Sequence, residues 1–177
     1  MNKIIKISTV DEAKNLMNEI YESSSTTRDE ILKLATNTTG VDFLHELKFL
    51  KVGKDPLENR PLNFIEQLNQ TFTYMTSLIA VKYLIEKYPQ YIPYTLNLGT
   101  ASGYDITSNN QEIVAETFAV TNAKSNDKIK KDVIRMSTVN DAILRFVFYY
   151  SQEDFSGLQS LKDKYPNVQI IPITFMY

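Results

Sequence analysis

Cysteine is absent from the 177 residues, which excludes disulfides, zinc–cysteine centres, iron–sulfur clusters and cysteine nucleophiles together. The single histidine, His45, leaves no multi-histidine metal site and removes most serine–histidine chemistry. No run approaches the roughly eighteen apolar residues of a membrane-spanning helix, and Met1-Asn-Lys-Ile-Ile-Lys-Ile has no apolar leader core. A soluble cytoplasmic protein is therefore expected, with no membrane partner. Positive charge is not in excess either. Nineteen basic against 21 acidic residues leave a net charge of -2, which argues against a strong overall grip on nucleic acid while leaving room for a local basic groove. Internal repeats and low-complexity tracts are missing as well.

What is present is ordinary globular material, 43% hydrophobic and 23% charged, enough for a single domain over residues 1–177 that buries about two thirds of its unfolded surface. The first half reads as helical, with residues 1–60 as an N-terminal helical part. Thr9 to Glu12 has the spacing of a capping box that opens a helix to about Glu22, and Thr27 to Glu30 repeats the device for a second helix. Val41 to Leu50 reads as a third. Lys51 to Pro61, with one Gly and two Pro, reads as a loop. The longest helix follows, about Leu62 to Tyr88, capped by Asn63 and carrying Phe64, Leu68, Phe72, Met75 and Ile79 on one stripe.

From Tyr94 the period changes to two. Strands are expected over Tyr94–Leu98, Tyr104–Thr107 and Glu112–Val120, the last two joined around Ser108-Asn-Asn-Gln111. A basic helix over Asp127 to about Met136, capped by Ser125 or Asn126, precedes a strand at Ile143–Tyr150. A helix near Phe155–Tyr165 leads to a last strand at Val168–Thr174. The order predicts an α/β (α+β) fold, a mixed central sheet flanked by helices.

Two acids interrupt the apolar hairpin, Asp105 and Glu116. Neighbouring strands lie about 4.8 Å apart, so acids on one face can share a hard cation such as magnesium, which takes oxygen ligands. A turn over Ser108–Gln111 would set Thr107 opposite Glu112 and Asp105 opposite Val114, leaving Glu116 on a diagonal. The alternative is that both acids lie on a solvated sheet face. Lys124, Lys128, Lys130 and Lys131 form the densest basic run, either a solubilising helix face or a set of phosphate contacts. Of these, Lys131 would come nearest to Glu116. Glu66 stands in a capping pair with Asn63, which accounts for it without a functional role. Gln70 lies one turn further on. Gly99-Thr-Ala-Ser-Gly103 lacks the Gly-Lys-Ser/Thr of a phosphate loop and reads as a tight turn.

With an acid on the second strand and another on the third, the stretch from Leu62 to Thr174 resembles the core of the PD-(D/E)xK nuclease superfamily, the restriction-endonuclease-like fold. The resemblance implies a magnesium-dependent DNA endonuclease, with manganese able to substitute, in which Asp105 and Glu116 hold the metal. It also implies a lysine two residues after the Glu, but Phe118 fills that slot, and Tyr104 stands where a proline precedes the Asp. The missing ammonium would come from Lys124 or Lys131. Glu66 could add a metal ligand, and Gln70 could join Lys124, Lys128, Lys130 and Lys131 on the DNA. A homodimer is the family expectation. The alternative is a catalytically inactive member of the same fold that binds nucleic acid or protein.

Overall fold

The computed structural model describes residues 3–122, 127–153 and 155–175. The chain forms two compact units, one from residues 1–13 and 76–177, the other from 14–75. The division falls inside the long helix, whereas the sequence placed a boundary at residue 60 within one domain.

The first unit is built on a six-stranded mixed sheet in the order β1 (Ile4–Ile7), β4 (Tyr94–Asn97), β5 (Ile106–Ser108), β6 (Ile113–Val120), β7 (Leu144–Ser151), β8 (Gln169–Pro172). The first four strands pair antiparallel and the last three parallel. Connection length dictates this. Short turns reverse the chain between β4, β5 and β6, while α4 (Lys128–Ser137) and α5 (Leu158–Lys164) carry it back for parallel pairing. The sheet is thus mixed and flanked by helices, as expected, with five strands close to their expected positions. The strand β1 was not expected. Four residues of Ile-Ile-Lys-Ile are too short to signal a strand, and their partner on β4 lies some ninety residues away.

Both faces of the sheet are covered. On one face Tyr83 of the long helix α3 (Phe64–Lys87) meets Phe146 and Phe148 edge-on, with centroids 6.5 and 5.5 Å apart. On the other, Val114, Phe118, Val147 and Tyr149 pack with Ile129, Val133 and Met136 of α4. The alternation along β7 fixes this: Phe146 and Phe148 face α3, while Val147 and Tyr149 face α4. Such a doubly covered strand reads as continuously apolar.

The second unit holds most of α1 (Val10–Asn37), then α2 (Gly40–Phe49), a two-residue hairpin of β2 (Gly53–Lys54) and β3 (Pro61–Leu62), and the start of α3. The helix start at Thr9 uses its capping box as expected: Glu12 N–H donates to Thr9 Oγ1 at 3.1 Å, and the Ser8 and Thr9 amides donate to Glu12 Oε2 at 2.7 and 3.2 Å. The second box, at Thr27, opens no helix. α1 runs through it, because Ser25 and Thr26 donate back to the carbonyls of Tyr21 and Glu22, and Thr27 donates to Gln67 Oε1 at 2.7 Å. The expected loop at Lys51–Pro61 is instead a hairpin closed by Asp55, whose Oδ1 accepts the Leu57 and Glu58 amides, both at 3.1 Å. Among the described residues, no helix is long and apolar enough to cross a membrane.

Candidate acidic site

The hairpin β5–β6 positions the acids. Its pairs are Ile106 with Ala115 and Thr107 with Val114. Extending that register by one residue sets Asp105 directly opposite Glu116, not on the expected diagonal. The turn takes up more chain than expected: Gln111 N–H donates to Ser108 O at 2.9 Å, Gln111 turns through φ 57°, and Ile113 N–H donates to Ser108 Oγ at 2.9 Å. Asp105 stands just before β5, and its carbonyl accepts the Asn97 amide at 2.8 Å, which continues the ladder with β4. Directly opposed residues of an antiparallel pair share a face. Here Glu116 lies between Val114 and Phe118 on the side that faces α4.

Each acid has different support. Asp105 Oδ2 accepts the Thr117 amide at 2.7 Å and the Thr117 hydroxyl at 3.3 Å, and that hydroxyl lies 2.6 Å from Ser77 Oγ on α3. Glu116 is 3% exposed. Arg135 Nη1 lies 3.0 Å from its Oε1, yet no N–H is aligned with that oxygen, so the contact is coulombic and Oε1 lacks a hydrogen-bond donor. The same guanidinium donates to Gly103 O at 2.8 Å and lies over the Tyr104 ring at 5.4 Å.

A third carboxylate joins them from α4. Asp132 is 5% exposed, its Oδ1 accepts Lys128 Nζ at 2.8 Å, and its Oδ2 is buried without a partner. The spacing of Lys128, Asp132 and Arg135 by four and then three residues puts all three on one helix stripe. That stripe runs beside the Ile129, Val133 and Met136 stripe that enters the core. Asp132 and Arg135 were not singled out from the sequence, although this spacing was there to be read.

Electrostatics records the crowding. Burial, then the negative charge of Asp105, pushes the Glu116 carboxyl from 4.5 up to about 8, against the opposing pull of Arg135. Burial also raises Asp105, against the lowering effect of the Thr117 amide bond and of Lys128. The oxygen donors suit a hard cation, and one oxygen each of Glu116 and Asp132 receives no hydrogen bond, although Arg135 and Lys128 stand beside the two carboxylates. Asp105 and Glu116 could hold such an ion between them, although no group of three His, Cys, Asp or Glu among the described residues converges as a cage.

The remaining candidates fall elsewhere. Lys131, expected nearest to Glu116, is exposed, as is Lys130. The cation that reaches Glu116 is Arg135, one turn beyond Lys131. Lys128 is half-buried, with its ammonium 5.6 Å from the centre of the Phe118 ring. Lys124, with Ser125 and Asn126, lies outside the described residues. Glu66 and Gln70 belong to the second unit. Glu66 is exposed, and its amide donates to Asn63 Oδ1 at 2.8 Å, as the capping pair requires. Gln70 Oε1 is buried without a hydrogen-bond partner. Comparison with known protein families, curated proteins and solved structures yields no match.

Proposed function

We propose that the protein is a magnesium-dependent hydrolase of DNA phosphodiester bonds, with a restriction-endonuclease-like core. The observation that carries this reading is the direct opposition of Asp105 and Glu116 on adjacent strands, with one buried Glu116 oxygen that receives no hydrogen bond; on the restriction-endonuclease-like reading these two acids would be the metal ligands. A magnesium or manganese ion held by this pair would supply charge stabilisation for the phosphate and a more acidic bound water. The chain's own groups do the rest. Thr117, steadied by Ser77, fixes the carboxylate of Asp105 through two donors. Lys128 stands over Phe118, the residue in the lysine slot, and so brings an ammonium into the neighbourhood from which that slot would deliver one. Asp132 orients it through the 2.8 Å ion pair. Lys130 and Lys131, exposed on the same helix, are placed for phosphate contacts.

The second reading is an inactive binding module of the same fold. Arg135 favours it, because its guanidinium already sets a positive charge 3.0 Å from Glu116. Incubation with plasmid and duplex DNA separates the two. The hydrolase cuts in magnesium or manganese and stops in chelator. Asp105→Ala removes nearly all cutting, and Lys128→Ala lowers the rate by roughly a hundredfold, as loss of a group that assists proton transfer does. Binding without cutting across DNA substrates supports the module. Cutting that survives Asp105→Ala overturns the assignment of the site.

A further inference from the structure

The second unit contains a cleft of about 480 Å³ that no acid of the candidate site touches. Its one wall is α1, through Glu30, Lys33 and Leu34. The other is the segment that enters the hairpin, through Lys51 and Lys54, with Pro61 alongside. Three lysines face one glutamate there, a surplus of two positive charges on a chain whose net charge is -2. Lys51 and Lys54 have no carboxylate within ion-pair reach among the described residues. Lys33 pairs with Glu30 at 2.7 Å, but both side chains are more than half-exposed or nearly so, at 69% and 50%. Such a pair contributes little and yields readily to a stronger anion.

The hairpin wall is held from behind. Gln67, 3% exposed, accepts the Lys54 amide and the Thr27 hydroxyl on its Oε1, both at 2.7 Å. Gly53 lies so close to the Gln67 side-chain oxygen that any side chain at Gly53 would collide with it. The backbone that carries Lys54 is thereby fixed on buried polar contacts, while the ammonium groups stay free to move. Compact ammonium charges on flexible stems bind phosphate as point charges and read no base sequence. Leu34 and Pro61 give the cleft an apolar element against which a sugar can lie.

We infer that this cleft is a contact site for the phosphodiester backbone of duplex DNA. The choice of DNA over a small polyphosphate rests on the hydrolase reading, whereas the anionic, phosphate character of the ligand rests on the cleft alone. The lysines come from α1, from the approach to β2 and from β2 itself, so no basic run in the sequence marks the site.

The test is binding of a fluorescent duplex to the full chain in chelator, over a series of salt concentrations. The Lys33→Gln, Lys51→Gln, Lys54→Gln triple variant should lose roughly tenfold or more in affinity. Its log–log salt slope should flatten by about two to three, since each neutralised phosphate contributes about 0.9. Unchanged melting of the triple variant shows that the fold is intact. The charge-matched Lys82→Gln, Lys87→Gln, Lys162→Gln variant should bind and respond to salt like the wild type. Equal losses in both variants, or none in the first, overturn the cleft. Tripolyphosphate that binds by calorimetry in a cleft-dependent way, with no duplex bound, overturns DNA as the ligand. Cleft-dependent duplex binding by a protein that never cuts would sink the hydrolase reading and leave this one standing.

Discussion

Asp55 in the second unit and Glu116 in the first are equally hidden from water, at 1% and 3% exposure, and each has an arginine beside it, but they differ in hydrogen-bond donors and in neighbouring charge. Asp55 accepts two backbone amides on one oxygen and has Arg60 3.8 Å from the other. These contacts tie the turn together with the backbone bonds from Asp55 N–H to Arg60 O at 2.7 Å and from Asn59 N–H to Asp55 O at 3.1 Å. Glu116 has Arg135 nearer still, 3.0 Å from Oε1, but no aligned donor on that oxygen, and two further acids, Asp105 and Asp132, act against it through space. Burying a carboxylate whose cation is offset by two neighbouring acids is costly, so a chain that does so in its sheet forgoes stability that an apolar residue would have supplied. The contrast separates an acid that serves the fold from one that the fold merely tolerates. Tolerated strain of this kind concentrates at sites of binding and chemistry.

The largest expected effect breaks the comparison outright. Asp55→Ala should destabilise the protein by roughly 2–4 kcal/mol, because charge-assisted bonds to two amides are lost from a buried turn. Glu116→Gln should lie within about 1 kcal/mol of the wild type at neutral pH or exceed it, because the carboxyl already carries a proton there and the amide replaces like with like. Urea denaturation measures both. Equal losses would show that Glu116 is as structural as Asp55.

A pH series sharpens the same contrast. Glu116 is raised from 4.5 to about 8 in the folded chain, so over that interval the native state holds a proton that the unfolded chain has released. Stability from this group is complete at the acid end and is lost as pH rises towards 8. Asp105 shifts in the same direction. The melting temperature of the wild type should therefore fall, relative to Glu116→Gln, between about pH 5 and pH 8. A constant difference across that window would mean that Glu116 is not desolvated as its burial requires.

The smallest effect concerns the support of Asp105. Thr117→Val keeps the amide that holds the carboxylate but removes the hydroxyl between Ser77 and Asp105. The expected loss is about 1 kcal/mol of stability, again by denaturation. A loss as large as that of Asp55→Ala would mean that the Ser77–Thr117 link is a principal tie between α3 and the sheet.

Much of the fold was legible in the sequence because local patterns encode it. The strands β4 to β8 follow from period-two alternation and apolar runs, α4 and α5 from the intervening helical stretches. The first capping box marks the start of α1. Its twin at Thr27 misleads, because the same hydroxyl can cap a helix or bond across space to Gln67, and only the neighbouring α3 decides which. Strand β1 was hidden because its partner is remote. Asp105 and Glu116 stood out as acids among apolar neighbours, but their register did not, since a turn that uses Ser108 Oγ and a left-handed Gln111 cannot be counted from residue spacing. Asp132 and Arg135 passed unnoticed because on an isolated helix they look like ordinary surface charges.

The sequence by itself determined the classes of chemistry excluded, the mixed α/β composition and the two acids of the hairpin, all consequences of residue type and local period. Tertiary structure alone decided that those acids are opposed and not diagonal, and that α4 sets Lys128, Asp132 and Arg135 beside them. It also decided that lysines from separate segments share one cleft in the second unit. The physical reason is the same in each case. Whether a charge is solvated, paired or stranded depends on what long-range packing places within a few ångströms of it, and that distance is not written in the spacing of residues along the chain.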